Sequence, residues 1–152
     1  MTPTTSDWPA ANTQHGLLMA VGEFLQQHGL IERLRRVPLP QKTRRFSPQT
    51  KLVEFLAGIL SGMEYLEDLN EGPHPLTKDP LVAQAWGQSG FAHYSGVSRR
   101  LEVCQAQTVT AVEQALSDFS RPFVVAQADE LLRRGTAIIY VRPTAGRGQR
   151  AL

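Results

Sequence analysis

The sequence predicts an all-α, mainly helical fold with a helix-turn-helix-like element, one orphan β-strand near the C-terminus and a disordered basic tail. Three observations carry that expectation. Apolar residues recur three and four apart through successive segments, and prolines and glycines mostly mark where those segments start and stop. Only one run, Ala137-Ile-Ile-Tyr-Val141, has strand composition, and a single strand cannot form a stable sheet. With 152 residues, 41% of them hydrophobic and 20% charged, the chain has the length and composition of one domain with a real core.

The first helix is expected over Gly16–His28, with Leu17, Val21, Phe24 and Leu25 on its apolar face and Gly29 closing it. Leu30, Ile31 and Leu34 continue as a short second helix ending before Pro38, and Val37–Thr43 is an extended linker. The clearest helix follows. Ser47 caps it, Pro48 takes its first position, and Leu52, Phe55, Leu56, Ile59, Leu60 and Met63 form its apolar stripe. Gly58 and Gly62, four apart, are expected to allow a close helix crossing. Glu64, Glu67, Asp68 and Glu71 lie on one face of the same helix's continuation and read as a solvated acidic surface.

Glu71–Pro75 is a turn, and Asp79 caps a short helix that starts at Pro80 and packs Leu81, Val82, Ala85 and Trp86. Ser95–Cys104 forms the next helix, with Val97, Leu101 and Cys104 facing inward. The longest periodic segment is Thr108–Arg134, carrying Val109, Val112, Leu116, Phe119, Phe123, Leu131 and Leu132. Pro122 is expected to kink or break it near Ser120, and Gly135 ends it. Residues 1–12 read as a flexible tail and residues 143–152, with Gly146 and Gly148, as a disordered one.

Several function classes drop out. The four histidines, His15, His28, His74 and His93, stand at no metal-ligand spacing, and no nucleophile elbow or Walker-type loop is present. Tyr94 beside Ser95 has no sequence neighbour that would activate a nucleophile. The longest apolar stretch, Leu52–Leu66, contains Glu54 and Glu64 and is too short and too charged for a membrane span. Met1–Asn12 is polar, and the single Cys104 has no partner within the chain, so a soluble cytoplasmic protein is expected.

Charge is blocked. Seven basic and no acidic residues lie between Arg33 and Lys51, five acids and no base between Glu54 and Glu71, and five arginines with no acid after Glu130. Such blocks suit a surface that touches nucleic acid. The stretch Leu76–Leu101 reads as two short helices joined by a glycine-bearing turn, the second opening on Ser95, Ser98, Arg99 and Arg100. A helix that starts this way offers phosphate oxygens free backbone N–H groups and side-chain donors together. Ser95, Ser98, Arg99 and Arg100 are therefore the candidate DNA contacts, with Arg44, Arg45 and Lys51 adding phosphate attraction. Arg99 and Arg100 point about 100° apart on a helix.

The chain from about Leu17 to Tyr140, most clearly the segment from Phe46 to Cys104, resembles the N-terminal helical region of bacterial DDE-type insertion-sequence transposases. The resemblance rests on Gly62-Met-Glu-Tyr-Leu-Glu-Asp-Leu69 and, most specifically, on Tyr94-Ser-Gly-Val-Ser-Arg-Arg-Leu101. It implies a DNA-binding helical region over 13–135, then residues 136–142 as the start of the first strand of an RNase H-like core. In that family three carboxylates hold two divalent metals such as Mg2+ for strand transfer. Here Tyr140-Val-Arg-Pro-Thr-Ala-Gly-Arg-Gly-Gln-Arg150 follows instead, and no carboxylate side chain comes after Glu130. The resemblance thus implies a frameshifted or truncated transposase, without catalytic residues or cofactor, whose partner is double-stranded DNA at transposon ends. The alternative is a helical interaction module that pairs with intact transposase or with itself and inhibits transposition.

Overall fold

A computed structural model describes residues 13–40 and 45–135. Internal packing divides the chain into two compact units, Met1–Phe119 and Ser120–Leu152. Among the described residues the secondary structure is helical throughout: α1 (Gly16–Gln27), α2 (Leu30–Arg35), α3 (Pro48–Leu60), α4 (Asp68–Glu71), a 3-10 turn (Leu76–Lys78), α5 (Pro80–Ala85), α6 (Tyr94–Glu102) and α7 (Ala106–Arg133). The expected strand at Ala137–Val141, the two tails and Arg44 lie outside the described residues.

The helix boundaries follow local chemistry. Ser47 Oγ accepts the Thr50 N–H at 3.0 Å, and Pro48 sits at a position that has no intrahelical bond to lose. Asp79 Oδ1 accepts the N–H groups of Leu81 and Val82, both at 3.1 Å, ahead of Pro80. Gly29, at φ 77°, occupies the left-handed position that closes α1, and its N–H donates to Gln26 O. In the linker, Val37 and Leu39 point inward while Pro38 and Pro40 face out, the period-two alternation of extended chain.

The first unit is built around Trp86, fully buried, with its indole N–H donating to Leu18 O at 3.0 Å. α5 packs on α1, α2 against α1 and α3, and α6 on α3. The α1 face that turns inward is Leu18, Gly22 and Leu25, whereas Leu17 is 81% exposed. This differs from the expected face because Gly22 determines which side of α1 receives Trp86. A Cβ built there would stand 2.4 Å from the indole Cδ1.

α3 differs in the same way. It buries Val53, Glu54, Ala57 and Gly58, and leaves Ile59 and Leu60 about half exposed. It also stops at Leu60, because Gly62 takes φ 85° and turns the chain back. The four acidic residues are therefore not on a continuation of that helix. Asp68 Oδ2 accepts the N–H groups of Glu64 and Tyr65, which builds the turn leading into α4. Gly58 does permit a close approach, but Met63 and Leu69 of the returning chain make it.

Pro122 does not end α7, which runs from Ala106 to Arg133 with the proline inside it. The missing N–H removes one intrahelical bond, and the two compact units divide close by, between Phe119 and Ser120. Up to Phe119 the helix buries Thr108 and Ala115 and packs Val112 and Phe119 against the core, while Val109 is 51% exposed. In the second unit Val124, Val125 and Leu132 are exposed, and Glu130 pairs with Arg133 and Arg134. Those surface pairs each contribute less than about 1 kcal/mol.

Candidate nucleic-acid interface

α6 begins one residue earlier than expected, at Tyr94, with His93 as its N-cap, and ends at Glu102. Val97 is fully buried against α3 and Leu101 packs on the core. Cys104 lies beyond the helix, half-buried, and its thiol donates to Arg100 O at 3.4 Å. α5 and α6, the two halves of the expected helix-turn-helix, dock mainly on different neighbours, α1 and α3, across the connection from Trp86 to His93.

The first-turn N–H groups of α6 are already engaged. Asn70 Oδ1 accepts the Tyr94 N–H at 2.6 Å, His93 Nδ1 accepts that of Ser95 at 3.3 Å, and His93 O accepts that of Gly96 at 2.8 Å. The expected anion seat on free backbone donors is therefore closed by the protein's own acceptors. Any phosphate contact here falls to side chains. Accepting from Ser95 leaves His93 Nδ1 without hydrogen, so the neutral ring carries its proton on Nε2.

The seven candidate contacts separate into distinct roles. Ser95 Oγ lies 3.1 Å from His93 Nδ1, within the cap. Ser98 Oγ donates to Glu102 Oε1 at 3.2 Å. Arg99 is exposed, four residues after Ser95 and so on the same helix face. Arg100 instead donates through Nη1 to Pro40 O at 3.0 Å, and its Nε is buried without a partner; it clamps α6 to the linker. Lys51 reaches across from α3, and its Nζ would lie 3.6 Å from a Cβ at Gly96, so the absent side chain leaves room for the ammonium over the first turn of α6. Arg45 is exposed, with its guanidinium carbon 5.3 Å from the centre of the Phe46 ring. Arg44 lies outside the described residues.

Arg45 and His93 border an open groove of about 480 Å³, together with Lys78. Sequence reasoning missed Lys78, which belongs to no basic run, and missed the capping role of His93. It also missed Glu54, whose carboxyl is fully buried under this surface. Glu54 Oε2 accepts the Ala92 N–H at 2.8 Å, one residue before the α6 cap, and Oε1 is buried without a partner. Burial pushes this carboxyl up to about 8, against the opposing pull of the Ala92 N–H and the Lys51 charge.

Among the described residues no group of three or more His, Cys, Asp or Glu side chains is placed to hold a metal ion. No helix among them is long and apolar enough to cross a membrane. No protein-family model gives a significant match to the chain, and neither does any curated protein or solved structure.

Proposed function

We propose that this chain is a helical DNA-binding module of the type that precedes the catalytic core in DDE-type transposases, acting in the cytoplasm on duplex DNA. One observation supports it best. Arg45 and Lys78, from separate segments, border one groove with the α6 cap His93, Lys51 reaches over the first turn of α6, and Arg99 is exposed on that helix. Side-chain cations spread over one surface match a string of phosphates, the sequence-independent part of DNA affinity. The sequence resemblance supplies the transposase part of the reading, and preference for transposon-end duplexes over scrambled ones is its direct test.

The two adjacent arginines give a sharper test of the surface. In fluorescence-anisotropy titrations across a salt series, Arg99→Ala is expected to lower the slope of log affinity against log salt by about 1. Arg100→Ala is expected to leave that slope unchanged and to lower thermal stability, because its guanidinium serves Pro40 O. Equal slope losses in both variants would refute the assignment.

A second reading has its own support. Val125, Ala128 and Leu132, at helical spacing in the second unit, form an exposed apolar row on α7. A helix of that kind pairs with another, either a second copy or an intact transposase. Sedimentation of the chain over a concentration series separates this reading from the first, since pairing needs no DNA.

A further inference from the structure

The groove beside α6 carries two cations, Arg45 and Lys78, that no ion pair among the described residues neutralises. Among the described residues the one carboxylate in its wall is Asp79, and both of its oxygens accept hydrogen bonds from other groups. Its Oδ1 accepts two N–H groups at the start of α5, and its Oδ2 accepts the Thr13 hydroxyl. Asp79 forms no ion pair with either cation, and two positive groups against its one negative charge leave the groove net positive.

We propose that this groove is a phosphate seat, in which Arg45 and Lys78 supply charge and His93 Nε2–H supplies a neutral donor. The guanidinium fork and the ammonium together suit a tetrahedral oxyanion. Phe46 holds Arg45 over the groove by a cation–π contact, so one cation is already positioned. The same contact argues against a nucleobase as occupant. The Arg45 guanidinium carbon stands 5.3 Å from the centre of the Phe46 ring, so a base could stack on that face only by displacing the arginine. That the phosphate belongs to a DNA strand rests on the function proposed above; the seat itself does not depend on it.

The experiment uses the full chain and two probes. Inorganic phosphate is titrated against chloride at constant ionic strength and followed by amide NMR. A DNA duplex is titrated separately across a salt series. The expected result is saturable phosphate shifts confined to residues 45–46, 77–79 and 89–93, abolished in Lys78→Gln and Arg45→Gln. In the duplex arm each variant loses about 1 from the salt slope. Lys78 and Arg45 are both exposed, so unchanged melting temperatures are expected in both variants. Saturable phosphate shifts in a chain that binds no duplex would uphold the seat for free phosphate and refute the DNA reading. Duplex binding with an unchanged slope in both variants, and no phosphate shifts, would overturn the seat and leave the DNA reading standing.

Discussion

Replacing Glu54 by glutamine is expected to abolish a pH dependence of stability worth about 4 kcal/mol between roughly pH 5 and pH 8. Burial raises the Glu54 carboxyl from its ordinary value, 4.5, to about 8. Between those two values the folded chain holds a proton at Glu54 that the unfolded chain has released. The sign follows: stability from this group is complete below about 4.5, falls as pH rises, and levels off above about 8. Glutamine keeps an acceptor for the Ala92 N–H and does not titrate. Urea denaturation of both chains at several pH values measures the difference. If the gap between parent and variant stays constant from pH 5 to pH 8, the carboxyl is not buried as described.

The second large effect lies where α1 meets Trp86. Gly22→Ala places a methyl 2.4 Å from Trp86 Cδ1 and 2.5 Å from Nε1, so the indole or the helix must move. Overpacking of this kind costs about 1–3 kcal/mol, against a helix-propensity gain of up to about 1 kcal/mol. Trp86→Ala is expected to cost about 3–5 kcal/mol, from lost burial, the cavity and the Leu18 hydrogen bond. The decisive comparison is the double variant. With the indole gone, Gly22→Ala is expected to stabilise, so its effect reverses sign. Destabilisation of equal size in both backgrounds would show that the glycine does not position the tryptophan.

These two sites also show what the sequence conveys and what it withholds. Ser47 with Pro48, and Asp79 with Pro80, were legible because a cap acts on N–H groups two or three residues away. The short helix with Leu30, Ile31 and Leu34 inward was legible because its apolar residues define one face only. On α1 and α3 the apolar residues cover more than one face, and the choice between faces is made by contacts with distant parts of the chain. Gly22 meets Trp86 from α5's far end, and Glu54 meets Ala92. Local periodicity contains neither partner. The end of α3 is not legible from periodicity, because Gly62 fits a packing position equally well and only its positive φ ends the helix.

The candidate interface divides along the same line. Arg99 is where its helical position predicts, exposed on α6. Arg100 is drawn to Pro40 O, sixty residues away in sequence, and Asn70 reaches the Tyr94 N–H from α4. The expectation of free N–H groups at the start of α6 failed because a capping acceptor can come from anywhere in the fold. Lys78 was invisible for the opposite reason. It stands alone in sequence, and only the packing of the Arg45, Lys78 and His93 segments makes it part of a cationic groove.

That gathered charge is tested most directly by the affinity of the unaltered chain for duplex DNA over a range of salt concentrations. If Lys51 and Arg99 each meet a phosphate and Arg45 and Lys78 share one, log affinity falls with log salt at a slope of about −3. A slope near zero, or no measurable binding even at low salt, would contradict a DNA-binding surface around α6.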